Sequence, residues 1–390
     1  MRNIHLTTVW GIPIRLNVSL LIFLPLLVWL IAASGQIELY AALIDTLAPA
    51  TLEADPLEVG FNPWIIGVAG AVGLFFSVAV HELGHAYAAK RYGIGTESIT
   101  LWIFGGLAAL ESMPKEWDRE FWIAVAGPIT SVALGGVFFG LLQVVPGGLP
   151  LVVFVVGWLA VINVVLAIFN MVPAFPMDGG RVLRALLSRG FSYARATQIA
   201  ARIGTIFALV FAVIGILGWN PVLVLVALFI YGAATTESRA VVLDELLTGV
   251  VAADVMDRPV RSVEADTTLE AFTGQMLADR RSEYVVVDDG EVVGIVTLSD
   301  VGRVDRSAFE TTTVGDVART DVRTADPDTP AFDVLISMGK APLVVVLEND
   351  DPVGTVSRQD LGEVMQLRRE LGASGPFVRS DMISSDAKQL

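Results

Sequence analysis

His81-Glu82-Leu83-Gly84-His85 sets two imidazoles four residues apart, with a carboxylate directly after the first. On a helix this spacing stacks the rings on one face about one turn apart, so they can grip one metal ion while Glu82 reaches its edge. A metal held this way makes water nucleophilic near neutral pH and polarises a carbonyl; the carboxylate takes the water proton and delivers it to a leaving amine. That is peptide-bond hydrolysis. The chain has three histidines, His5, His81 and His85, so a chance HExxH has odds on the order of one in a thousand.

A catalytic zinc site uses three protein ligands and keeps one position open. With no cysteine in the chain, the third ligand must be His, Asp or Glu. His5 lies in a polar N-terminal arm. Asp178, within Asn170-Met171-Val172-Pro173-Ala174-Phe175-Pro176-Met177-Asp178-Gly179-Gly180-Arg181, is the better candidate. Pro173 and Pro176 break a helix there, Gly179-Gly180 lets the backbone bend, and non-helical backbone at membrane depth must line a cavity or be buried in protein. The same run also reads as a helix-exit turn with a solvated Asp178, and on these residues alone both readings stand.

The elements that must carry these groups are apolar. Of the 390 residues 54% are hydrophobic and 17% charged, with a mean hydropathy of +0.65, which excludes a purely soluble protein. Runs long enough to cross about 30 Å of hydrocarbon fall near 16–33, 64–89, 120–145 and 148–172, with shorter ones near 203–219 and 221–235. Six spans are expected; the last two could instead form one re-entrant hairpin, which leaves the parity unchanged. Arg2, Arg15, Lys90, Arg91, Lys115, Arg119, Arg181, Arg184, Arg189, Arg195 and Arg202 all fall on one side of this arrangement. Both termini of a multi-pass cell-membrane protein are therefore expected to be cytoplasmic. The first run fits a true span rather than a cleaved signal peptide. His81 lies nine residues before Lys90, about 13 Å inside the membrane at helical rise.

Charge divides the chain. Residues 240–390 hold 28 Asp and Glu against 14 Arg and Lys, whereas residues 1–239 hold 13 against 12. The acidic part repeats once: Asp254-Val255 matches Asp316-Val317, and Gly294-Ile295-Val296-Thr297-Leu298-Ser299-Asp300 matches Gly354-Thr355-Val356-Ser357-Arg358-Gln359-Asp360. Neither half can bury its sheet alone, so the two should pack as one unit. The expected boundaries are 1–240 for the membrane domain, 252–308 and 313–370 for the repeats, and 372–390 for a disordered tail. The acidity excludes nucleic acid as a partner, and with 4 Lys against 22 Arg it points to a halophilic source.

Residues 98–110 join the second and third spans and are β-branched and aromatic, with Gly105-Gly106 where another backbone could approach. A transmembrane substrate must be unwound before its scissile carbonyl is accessible, and its freed backbone groups need partners. A strand edge supplies them by β-addition. An interfacial loop anchored by Trp102 and Phe104 is the competing reading.

On these motifs residues 1–240 resemble the site-2 protease family of intramembrane zinc metalloproteases. The likeness rests on the HExxH, on the Asn170-to-Gly179 run, which is similar to NxxPxxxLDG, and on Gly127-Pro128-Ile129-Thr130-Ser131, which is similar to GxxxN/S/G. Met177 stands where the family usually has Leu, and Ser131 where it often has Asn. The resemblance implies that His81, His85 and Asp178 bind one zinc ion per subunit and that Glu82 is the catalytic carboxylate. It further implies that Asn170 positions substrate or stabilises the oxyanion, that Gly127 and Ser131 serve the substrate together with Gly105 and Gly106, and that 98–110 is a membrane-dipping β-hairpin.

The acidic repeats resemble a tandem pair of CBS domains. This implies an adenosine ligand, ATP or AMP, held by Thr297, Asp300, Ser357 and Asp360, and a homodimer through the pair. Helix capping by the same residues is the alternative. The fold class expected is a polytopic α-helical membrane domain of about six transmembrane helices followed by an α/β CBS pair. The leading function is hydrolysis of transmembrane segments of membrane proteins in the lipid bilayer, with the adenosine ligand as regulator. A CBS-gated transporter or channel using His81, His85 and Asp178 as a transit site, and an inactive membrane adaptor, are the alternatives. Glu82 separates them, since only hydrolysis needs it as acid and base.

Overall fold

The computed structural model describes residues 3–371 apart from 34, 104, 113 and 350. Arg2, Phe104 and the 372–390 tail lie outside the described residues. The chain divides into two units, 1–239 and 240–390.

The first unit begins with a hairpin, β1 (Asn3–Val9) and β2 (Ile12–Asn17), turned at Trp10-Gly11 with positive φ at both positions. It continues through α1 (Val18–Ala32), α2 (Gln36–Asp45), α3 (Asp55–Glu58) and α4 (Asn62–Arg91) to a second hairpin, β3 (Thr96–Trp102) and β4 (Gly105–Leu110). Then follow α5 (Trp117–Leu142), α6 (Pro150–Asn170), α7 (Asp178–Leu187), α8 (Tyr193–Leu217) and α9 (Pro221–Leu247). The helices α4, α5, α6, α8 and α9 are each long and apolar enough to cross a bilayer; α1 and α2, bent by 62°, make a sixth if they form one span. Their outward faces expose Val68, Val72, Ile129, Val132, Leu209 and Ile216, the surface that lipid would cover.

Two stretches fold where only connecting chain was expected. The N-terminal arm forms strands because Ile12 and Ile14 alternate inward, and β2 pairs in parallel with β3 to give one sheet in the order β1-β2-β3-β4. In the acidic stretch after the first run, Ile37, Ala41 and Ile44 recur at helical spacing and bury against Phe154 and Trp158 of α6. The helix α8 also starts earlier than its apolar run, because Ser192 caps it and Ala194, Ala196, Ala200 and Ala201 are buried.

The helix that holds the HExxH, α4, is the hub of this unit. The sheet lays Ile12, Ile14, Ile99 and Leu101 against its Val78 and Ala86. Glycines let its neighbours close in: a Cβ at Gly67 would lie 2.6 Å from the Val28 carbonyl of α1, and one at Gly73 would lie 2.7 Å from Leu159 of α6.

The second unit comprises α10 (Ala252–Val255), β5 (Ser262–Glu264), α11 (Leu269–Asp279), β6 (Glu283–Asp288), β7 (Glu291–Thr297) and α12 (Leu298–Val301). Its second half is α13 (Val314–Val317), β8 (Arg323–Ala325), α14 (Ala331–Met338), β9 (Leu343–Glu348), β10 (Asp351–Ser357) and α15 (Arg358–Leu371). Each half is a three-stranded sheet with one parallel and one antiparallel pairing, β5-β6-β7 and β8-β9-β10. Val285, Ile295, Leu343 and Val345 form a core common to the two sheets. The leading segment of each repeat packs on the other: Ala252 and Val255 sit in the core with Ala331 and Val334, and Val314 in the core with Leu269 and Phe272.

Candidate metal centre and nucleotide cleft

His81 and His85 project from the same face of α4 and are 4% and 3% exposed. Asp178 is the first residue of α7 and 7% exposed, so it is not the solvated exit-turn residue of the competing reading. Its Oδ2 lies 3.1 Å from Nε2 of His81 and its Oδ1 3.2 Å from Nε2 of His85, and the two Nε2 atoms are 3.2 Å apart. Three donors around zinc at 2.0–2.1 Å stand about 3.3 Å apart; here the two imidazole–carboxylate contacts run to different oxygens of Asp178, and one donor atom from each of the three residues lies within 4.8 Å of the others, a grouping that could hold a metal ion.

The far ring nitrogens prepare the near ones. Nδ1 of His85 donates to the Ile123 carbonyl at 2.7 Å, and a carbonyl can only accept, so Nε2 is left with its lone pair toward the triad. Nδ1 of His81 is 2.8 Å from the Ser131 hydroxyl, which orients that ring. Gly127 lies against both rings at their triad-facing nitrogens: a Cβ there would collide with Nε2 of each. Gly127 and Ser131 are buried against the histidines and are not among the residues that line the cavity. Their contacts are with the two candidate metal-binding imidazoles.

A cavity of about 300 Å³ opens beside the triad, lined by His81, Glu82, His85, Asn170, Asp178 and Arg181 together with Gly105, Gly106 and Leu107 of β4. Glu82 presses on Gly106, where a Cβ would come within 2.7 Å of its Oε1. The smallness of Gly106 thus admits the Glu82 side chain to the β4 backbone, whereas Gly105, at φ 128°, serves the turn that starts the strand. Among the described strands β4 pairs only with β3, so its other edge faces this cavity. Asn170 ends α6 and donates to the Leu166 carbonyl at 3.0 Å. Gly179 and Gly180 have ordinary φ; they are needed because Cβ atoms there would strike the Met171–Phe175 backbone folded over α7. His5 is exposed on β1, 3.0 Å from the Thr8 hydroxyl, and takes no part.

Sequence reasoning missed a second polar cluster. Arg184, counted above only as a marker of orientation, is fully buried; its Nε donates to Glu120 of α5 at 2.7 Å and its NH1 to Glu237 of α9 at 2.5 Å. Its guanidinium also lies over the rings of Phe175 and Tyr193, at 5.0 and 4.8 Å. The available signal was charge inside apolar sequence, Glu120 above all, since such charges are paired or functional.

In the second unit the repeat residues cap helices. Asp300 accepts from the Thr297 backbone and hydroxyl at 3.1 and 2.6 Å, and Asp360 from those of Ser357 at 2.8 and 2.7 Å. The two pairs differ otherwise. Arg319 grips Asp300 from Nε and NH2 at 3.0 and 2.8 Å. Burial opposes the charged form of Asp300, but the hydrogen bonds from Arg319 and Thr297 outweigh it and hold the carboxyl below its usual range. Ser357 and Asp360 instead line a polar cleft of about 590 Å³ with Arg261, Arg280, Arg281 and Arg358. Burial first, and then the charge of Asp360, push Glu283 of this cleft above the usual carboxylate range.

Comparison with known proteins agrees with this division. The model of peptidase family M50 matches residues 69–211, and that of the CBS domain matches 251–305 and 314–366. The chain is 32% identical to the zinc metalloprotease MJ0392 of Methanocaldococcus jannaschii over 95% of its own length and 98% of that protein. It is 34% identical to Rip3 of Mycobacterium tuberculosis over 94% of its own length and 93% of that protein. Among solved structures, the site-2 protease from Methanocaldococcus jannaschii matches with 35% identity over 61% of this chain and 96% of that one, at a TM-score of 0.42.

Proposed function

The chain belongs to peptidase family M50, the site-2 protease type of zinc metalloprotease, with a C-terminal CBS pair, and from that premise we propose that it hydrolyses peptide bonds within or near transmembrane segments of membrane proteins. The observation that carries this reading is the buried His81-His85-Asp178 triangle opening on the cavity that also holds Glu82 and the edge of β4. Zinc would be held by those three side chains, and when bound it supplies activation of water and polarisation of the scissile carbonyl. Glu82 accepts the proton of the attacking water and returns it to the leaving amide nitrogen. An unwound substrate segment adds to the free edge of β4, whose backbone satisfies the peptide groups released by unwinding. Asn170, at the cavity wall, positions the substrate or donates to the oxyanion from its side-chain amide. A transit site could use Glu82 as a ligand, whereas hydrolysis needs it as acid and base.

The test is Glu82→Gln in the full-length protein in detergent: zinc content stays as in the wild type while cleavage of a reporter transmembrane peptide falls by about 10²–10⁴. Normal cleavage by the variant defeats the mechanism.

Both termini of this multi-pass protein are taken to be cytoplasmic, and the CBS pair to bind ATP or AMP and to form a homodimer. The polar cleft at Ser357 and Asp360 supports nucleotide binding there. Calorimetry with ATP and AMP decides it: binding weakened by Asp300→Ala plus Asp360→Ala is expected, and no heat with the wild type refutes it.

A further inference from the structure

All three proposed metal ligands are indexed to one face of α5. Glu120, Ile123, Gly127 and Ser131 follow one another at helical spacings of three, four and four. Ile123 fixes His85, Ser131 fixes His81, and Gly127 gives both rings their space. Asp178 has no side-chain partner on α5, but α7 does: Arg184, six residues on, is gripped by Glu120 through Nε at 2.7 Å and NH2 at 2.5 Å. The same guanidinium covers Phe175, three residues before Asp178, and reaches Glu237 on α9. It therefore contacts the chain on both sides of the carboxylate, in the turn before α7 and within α7 itself.

We propose that the Glu120–Arg184–Glu237 cluster is the positioning device for Asp178, so that affinity for the divalent metal depends on an ion cluster that touches neither metal nor substrate. This rests on the metal-centre reading above. An arginine with no exposure in an apolar bundle must keep its partners, because a lone buried charge is far costlier than a paired one. In the register that α7 adopts against α5, Arg184 keeps its charge paired with Glu120 and Glu237, and in that register Asp178 faces both imidazoles. A loosely placed α7 would lose this, since metal–ligand distances tolerate only about 0.2 Å.

The experiment uses the full-length protein in detergent, stripped of metal and titrated with zinc against a chromophoric chelator, with the visible spectrum of the cobalt-substituted form as a second readout. The triple variant Glu120→Leu/Arg184→Met/Glu237→Leu removes every charge together, which preserves stability where single removal does not. Expected are a thermal unfolding midpoint close to wild type, zinc binding about 10–100-fold weaker, and an altered cobalt spectrum. A folded triple variant with unchanged zinc affinity and spectrum overturns the proposal. If that variant does not fold, Glu120→Gln decides, because it is isosteric and leaves Arg184 paired with Glu237: about tenfold weaker zinc binding supports the clamp, and unchanged affinity refutes it. The control Asp178→Ala keeps the two failures apart. Wild-type zinc binding by that control defeats the ligand set itself, and the clamp with it.

Discussion

The metal centre and the two strand–helix junctions of the CBS pair are built from the same kind of material, short polar motifs spaced three or four residues apart, yet they are stabilised in opposite ways. At the junctions the motif closes on itself, Asp300 accepting from Thr297 and Asp360 from Ser357 within a single helical turn, and Asp300 adds a more distant partner, Arg319. In the apolar bundle His81 and His85 are completed from afar, by Ser131, by the Ile123 carbonyl and by Asp178 nearly a hundred residues on. With no water to turn to, a polar side chain there must find protein partners, and its neighbours in sequence are apolar. A polar motif in a membrane helix therefore carries more functional information than the same density of polar residues at a soluble helix start, where capping already accounts for it.

Four substitutions sharpen or break this contrast. The largest effect is expected at Glu82, where the Gln variant should lose about 10²–10⁴ in cleavage while keeping its zinc. Next is Gly127→Ala: its methyl meets imidazoles that Ile123 and Ser131 prevent from retreating, so zinc affinity should fall on the order of 10² by chelator competition. Ser131→Ala removes only the orienting hydroxyl and should weaken zinc about tenfold. A wild-type affinity in either variant would mean that the centre does not depend on distant support.

The smallest effect is expected at Asp300→Asn, which should cost the second unit about 1 kcal/mol at pH 7 through its bonds to Arg319 and leave zinc binding untouched. Its pH dependence has a definite sign. The folded-state value lies below the unfolded value of about 3.9, so the contribution is complete above that pH and is lost as pH falls through it toward the folded value. The difference between wild type and variant in thermal unfolding should therefore close below about pH 4. A gap that persists there would assign the stability to packing instead.

Much of this was legible in the chain. The HExxH is a local object, readable because a helix converts a spacing of four into one face, and the apolar runs and the duplicated Gly-to-Asp stretch are local patterns as well. Asp178 was readable only as a candidate, since nothing near it in sequence tells a ligand from an exit turn. Gly127 and Ser131 were recognised as a motif, but that they lie against the imidazoles was not readable, because a motif does not say which way its helix is turned. Arg184 was counted only as a marker of orientation, and Glu120 and Glu237 passed unnoticed.

Sequence alone determined the chemistry available to this protein, two imidazoles and a carboxylate on one helix face among apolar spans, followed by a duplicated acidic α/β unit. Only the tertiary structure decided which carboxylate closes the triangle, which residues stand behind it, and that a buried arginine connects them. Helical periodicity is inherited from nearest neighbours, whereas the meeting of α4, α5 and α7 is settled by packing and by the need to satisfy every buried charge across separations that no local pattern encodes.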